Sequence, residues 1–278
     1  MSLSPVANID QLKEALKPSP AAQLLHKPLF IAFLICFAGA YVLLCLGIDL
    51  PGNWAAGLLM VLAAATTFGA LARRLPLQNV LWSGALIATL ATIIETVSVT
   101  TGIPFGPHIF TDRLGAKIFD ILPWSIPLAW FVVVVNCRGV ARLVMRPWRK
   151  TNYYGFWVMG LTGLLAVLLD LTLEPYATHV RHYWSWQTAG TVPNWYSAPW
   201  VNFLGIFVTV LSILAFTTPW LINKLPTKYP TDYHPLVMWQ ALNLYFSTAN
   251  ALHQTWPALA VGLVSAVLVL VLTVRGAR

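Results

Sequence analysis

Three acidic residues stand where the surrounding chain is apolar: Glu95, Asp170 and Glu174. Ionisable groups at membrane depth are expensive and by default indicate function. Asp170 and Glu174 are four residues apart, so they share a face for as long as a helix persists through Pro175. Near Glu95, Thr89, Thr92, Thr96 and Thr100 continue a polar stripe. No Lys or Arg stands at the same depth, so the partners of these acids are loop cations such as Arg113 or Arg181, other polar groups, or their own protons. A carboxyl in apolar surroundings can stay protonated and serve as an acid, while a second carboxyl holds water.

The elements that carry these groups follow from composition. Of 278 residues, 58% are hydrophobic and 9% are charged, with a mean hydropathy of +0.70. A soluble domain carries about 25% charged residues. Eight apolar segments fall at about 29–48, 53–72, 80–99, 119–141, 155–174, 200–222, 235–252 and 256–274. A membrane crossing needs about 20 such residues. The expected fold is an all-α polytopic membrane protein, a bundle of about eight transmembrane helices with re-entrant-like outer loops. Residues 1–28 form a cytoplasmic segment and 29–278 one transmembrane domain. The seventh segment is the least apolar, carrying Gln240, Asn243, Ser247 and Asn250, a stripe suited to interhelical hydrogen bonds. Without it, seven spans would remain. The first 28 residues lack the apolar core of a cleaved signal, and the first span is expected to direct insertion.

Charge fixes the orientation. With eight spans and a cytoplasmic N-terminus, 14 of the 17 Lys and Arg residues lie inside, and only Arg113, Lys117 and Arg181 lie outside. This bias places the protein in the cell membrane with both termini cytoplasmic. The net charge of +8 is accounted for by topology and anionic headgroups; scattered over short loops, it does not suit nucleic acid. Cys36, Cys45 and Cys137 all fall within spans and suggest neither a disulfide framework nor a metal site.

Two outer loops are long and unusual. Residues 100–118 contain Gly102, Gly106 and Gly115 with Pro104 and Pro107, which permit sharp turns and forbid a regular helix. The loop is too apolar for water, and irregular backbone at this depth must be buried in protein or line a cavity. It should therefore fold over the outer mouth of the bundle. Residues 175–199 hold Tyr176, Tyr183, Trp184, Trp186, Trp195 and Tyr196, with Trp200 just beyond, a density beyond an interfacial belt. Glu95, His108, Asp112, Asp170, Glu174, His179, His182 and Asn202 all map to the outer half.

The run from Glu95 through Thr101-Gly-Ile-Pro-Phe-Gly-Pro-His108 to Asp112-Arg-Leu-Gly115 resembles the signature of a carotenoid biosynthesis membrane family. So do Ile126-Pro-Leu-Ala-Trp130, Asp170-Leu-Thr-Leu-Glu-Pro175 and Pro199-Trp-Val-Asn-Phe-Leu-Gly205. The likeness covers about residues 80–222. His108 stands where the pattern has Tyr, and Glu174 where it has Asp. The resemblance implies a carotenoid 1,2-hydratase, a hydro-lyase. Such an enzyme adds water to the terminal double bond of an acyclic end, of lycopene or γ-carotene type, to give the tertiary alcohols of bacterioruberin- and myxol-type pigments. It implies no cofactor and no metal. Its partners would be the carotenoid, membrane lipid and other enzymes of the pathway. Asp170 or Glu95 would donate the proton, with Glu174 and Asp112 orienting water. Asn202 and His108 would complete the polar network. Trp130, Trp184, Trp186 and Tyr196 would flank the cation, and Phe105 and Tyr176 would contact substrate.

Three other readings use the same residues. His179 and His182, spaced i, i+3 beside acids, could belong to a metal-dependent oxidase or desaturase, although such sites need more ligands. An acid-driven cyclase shares the carbocation but excludes water. A proton- or cation-coupled transporter would use the intramembrane acids, but neither inverted repeats nor paired broken helices are visible. The topology predicts that a cytoplasm-active reporter fused at residue 278 is active and that one inserted in 175–199 is silent. The reverse pattern would remove the eight-span arrangement.

Overall fold

The computed structural model describes residues 20–50, 54–188, 192–222 and 230–277. Lys13, Lys17, Lys224, Lys228 and Arg278, counted above as cytoplasmic, lie outside them, as does most of segment 1–28. Eight helices of 18 residues or more occur among the described residues. They are α1 (Pro20–Leu46), α2 (Trp54–Ala72), α3 (Leu77–Thr101), α4 (Ser125–Val144), α5 (Tyr154–Pro175), α6 (Trp200–Thr217), α7 (His234–Leu252) and α8 (Trp256–Ala277). The protein is an all-α polytopic membrane protein, as a chain of this composition must be: backbone groups in lipid can be satisfied only within helices or closed barrels.

Seven helices are long and apolar enough to cross a membrane on their own. The exception is α7, which has the length, at 19 residues, but carries the polar stripe. The stripe is turned inward. Asn243 Nδ2 donates to Gly262 O and Ser265 Oγ of α8, at 3.2 and 3.1 Å. Gln240 Nε2 donates to Ala266 O at 2.9 Å. On the α5 side, Asn250 Nδ2 donates to Thr172 O at 2.9 Å. The helix is thus held by partners rather than by hydropathy.

α4 is the central helix. It packs against α2, α3, α5, α7 and α8, and 61% of its apolar window is buried. It starts at Ser125, not near 119 as its hydropathy suggests. Residues 117–123 instead form a hairpin of β2 (Lys117–Ile118) and β3 (Leu122–Pro123). Its turn places Phe119 and Asp120 at φ 52° and 58°, which no helix accommodates. α3, α4, α5 and α6 close a four-sided ring, each packing on the next, with α3 against α6.

α5 does not stop at its proline. It runs through Pro175 into a wider turn, Tyr176–Val180. Proline removes the N–H that would bond Leu171 O. The Trp195 indole supplies the missing donor, at 2.9 Å. Tyr176 N–H bonds Leu173 O, and Asn250 takes the carbonyl left over on Thr172. Asp170 and Glu174 therefore keep their shared face.

The two long loops, about 100–118 and 175–199, are joined to each other. β1 (His108–Phe110) pairs antiparallel with β4 (Trp184–Trp186), aligning His108 with Trp186 and Phe110 with Trp184. Alternation along the ribbon turns these four inward and leaves Ile109 exposed. A further ribbon pairs β5 (Asn194–Trp195) with β6 (Ala198–Pro199). The ribbon β1–β4 caps the ring formed by α3 to α6.

Loop 102–107 is seated on α6 through Gly205, where an added Cβ would lie 2.7 Å from Pro104 O and 2.8 Å from Phe105 Cδ1. Gly205→Ala is expected to cost about 1–3 kcal/mol by overpacking, read as a lower Tm in detergent. Gly160→Ala, with nothing within 4 Å, should leave Tm unchanged. Equal melting of the two variants would show that this seat bears no load.

Candidate active site

Within the ring and beneath the ribbon lies a cavity of about 130 Å³. Glu95 of α3, Asp170 and Glu174 of α5 and Asn202 of α6 line it together with His108, Trp130, Trp184, Trp186 and Phe105. These are polar and aromatic groups from six separate stretches of chain. Among the described residues no Lys or Arg lines the cavity.

The acids are held by neutral N–H donors. Asn202 Nδ2 bridges two of them, donating to Asp170 Oδ2 at 3.0 Å and to Glu174 Oε1 at 3.4 Å. On its other oxygen Glu174 accepts the indole N–H of Trp186 at 3.1 Å and of Trp184 at 3.4 Å. Glu174 thus faces three donors and Asp170 one. Glu95 Oε1 accepts the Trp130 indole N–H at 2.7 Å. Its Oε2 faces His108 Nε2 across 3.8 Å, too long for a hydrogen bond.

His108 has a defined tautomer. Its Nδ1 lies 3.0 Å from Gly106 O, a carbonyl that can only accept, so Nδ1 carries the proton and Nε2 is bare toward Glu95. Burial pushes the imidazole below its ordinary pKa, which favours the neutral ring. Gly106, at φ 106°, lets the chain turn tightly here, and a Cβ would lie 2.9 Å from Pro199. Rings close the remaining walls. Phe105 and Trp130 stack with centroids 6.0 Å apart, and His108 and Trp186 meet at 5.1 Å.

Three residues expected at the site lie elsewhere. The Asp112 side chain is 97% exposed in the short helical turn after β1 and pairs with Lys117 at 2.8 Å. Hydrogen bonding and charge from Lys117 hold its carboxyl below the usual range. An acid beside a signature loop is not thereby inside it. Tyr176, two residues past Glu174, points to the other side of the helix, where its hydroxyl lies 3.2 Å from that of Tyr245 in a separate cavity. Tyr196 has φ 57° and packs edge-on to Trp195, away from the acids. The histidines weighed as metal ligands do not converge on the acids. His179 faces the separate cavity, and His182 Nδ1 is engaged by Thr178 O at 2.8 Å.

Sequence reasoning passed over Phe110, Ile126, Ala129, Val133, Leu173 and Ile206, which complete the lining. Ile126, Ala129 and Val133 are spaced as one helical face, but nothing polar nearby distinguishes that face from any other apolar stripe. Phe110 could have been found from its two-residue offset to His108, had the loop been read as a strand.

Comparison with known proteins bears on this site. A bisanhydrobacterioruberin hydratase of Haloarcula japonica is 29% identical over 114 residues, which are 40% of this chain and 36% of that protein. The aligned part is thus about a third of the relative's length. No solved structure matches. The carotenoid biosynthesis protein family matches residues 55–270, which include every residue lining the cavity. A ring of α3 to α6, capped by two joined loops over three acids, is what this match encloses, and the chain belongs to the carotenoid biosynthesis protein family.

Proposed function

We propose that this protein is a carotenoid hydratase that adds water across the terminal C1=C2 double bond of an acyclic carotenoid end. The observation that carries the reading is the unequal solvation of two adjacent carboxyls. Glu174 receives three N–H donors and Asp170 one, and among the described residues no Lys or Arg lines the cavity. Hydrogen bonds to a carboxylate favour its charged form. In this reading the pair shares one proton, with Asp170 acting as the acid and Glu174 as the base. Family membership and the named hydratase relative support the same chemistry.

The steps follow. Asp170 gives its proton to the less substituted alkene carbon, leaving a tertiary carbocation on the dimethyl carbon. Trp130, Trp184, Trp186 and Phe105 line the cavity, and aromatic faces stabilise a nearby cation by about 0.5–2 kcal/mol each. A water held by Glu174 adds to the cation and loses its second proton to Glu174. Transfer of that proton back to Asp170 restores the pair. One water enters and nothing leaves, so the reaction is redox-neutral. Glu95, with its Trp130 donor and bare His108 nitrogen, supports the far wall and orders the water. The lid over the cavity faces the outside if both termini are cytoplasmic.

Expression in a lycopene-producing host, with mass analysis of the pigments, tests the reading. The expected product gains one water per reacting end; an unchanged mass with a new ring would assign the protein as a cyclase. Asp170→Asn should lower hydration by at least about 10²-fold, the usual contribution of general acid catalysis, with Tm retained. Glu174→Gln should do the same, because it removes the base. Normal hydrated carotenoid from Asp170→Asn would place the proton donor elsewhere. Activity is further expected to survive chelators and to need no nucleotide or reductant. Loss in EDTA with recovery on adding iron would favour a metal enzyme.

A further inference from the structure

The acid cavity is too small for the molecule it is proposed to act on. A space of about 130 Å³ takes a chain end, and the rest of a long rigid substrate has to leave through a wall. One wall is shared. Ile126, Ala129 and Val133 of α4, Leu173 of α5 and Trp184 line both this cavity and a second one of about 570 Å³. The side chain at the middle of that α4 stripe is alanine, the smallest of the five.

The second cavity runs through the outer half of the bundle between α1, α2, α4, α5 and α7. Its lining is aliphatic and aromatic. Phe37, Tyr176, Tyr245 and Phe246 form a connected group, with neighbouring centroids 5.6 to 6.1 Å apart. Its outer rim is polar, with Arg113, His179 and His253, and an ion pair between Arg181 and Asp49 that clasps the loop after α5 to the segment after α1. The wall on the lipid side is α1, which packs on α2 and α7 and has only 6% of its apolar window buried.

Resting on the hydratase reading, we infer that this second cavity is a binding channel for the polyene of the substrate, continuous with the acid cavity past Ala129 and entered from lipid beside α1. The occupant is a long conjugated polyene. A row of aromatic faces suits its flat π-system, and the channel leads to acids that only an alkene end can use.

The test measures polyene binding separately from turnover. Wild-type protein in nanodiscs of fixed phospholipid is titrated with lycopene, and a saturable change in polyene absorption is expected. Ala40 of α1 and Ala55 of α2 line only the second cavity. Ala40→Trp and Ala55→Trp should weaken binding by about tenfold or more by filling it, while Ala40→Ser and Ala55→Ser bind normally. A second measurement does not depend on the plugs folding. In a background with Cys36 and Cys45 changed to Ser, alkylation of Met60→Cys, which lines the same cavity, should be slowed by lycopene. Undiminished binding in folded plug variants, or alkylation of Met60→Cys indifferent to lycopene, would overturn the channel and leave the cavity to lipid. If binding and protection hold but the wild type forms no hydrated pigment, the channel stands and the hydratase reading falls.

Discussion

Three carboxyl groups at membrane depth, with no Lys or Arg lining their cavity among the described residues, set the terms for the rest of this structure. Each unpartnered carboxylate in a dry interior would cost several kcal/mol, so each has to be neutralised or surrounded by N–H donors. The donors come from far along the chain: one amide on α6, two indoles on the outer ribbon and one on α4. Supplying them requires four helices to close a ring and two outer loops to join above it. The lid is therefore part of the solvation of the acids, not only a cover.

The choice of indole and amide donors over Arg or Lys has chemical meaning. A guanidinium beside Glu174 or Asp170 would hold both as carboxylates and remove the transferable proton. Neutral donors solvate a carboxylate without that effect, and an indole also presents an apolar face. Trp130 and Trp186 thus each meet a carboxyl oxygen with the N–H edge while the ring lines the cavity. In the proposed mechanism that combination suits a cationic intermediate, which a fixed positive charge would oppose.

Much of this was legible in the sequence, and the limits have physical reasons. Glu95, Asp170, Glu174 and Asn202 stand out because polar groups contrast with apolar spans, and their depth places them together. The aromatic loop offers no such contrast. Trp186 binds Glu174 while Trp195 satisfies a backbone carbonyl, although both are tryptophans in one polar stretch. Tyr176 could have been set aside from spacing alone, since residues i and i+2 on a helix do not share a face with each other. The start of α4 was misplaced because hydropathy reads Phe119 to Pro123 as apolar, and only backbone angles reveal the hairpin.

The bond from Trp195 to Leu171 concerns how the protein is made. As α5 leaves the ribosome it carries an open carbonyl opposite Pro175, and its partner, which follows in the chain, has yet to emerge. The donor that bridges Asp170 and Glu174 comes later still, on α6. Glu95 has its Trp130 donor on α4, whereas Asp170 and Glu174 of α5 precede every one of their donors in the chain. Membrane insertion and pocket assembly are separate events in time, and the second waits for Asn202.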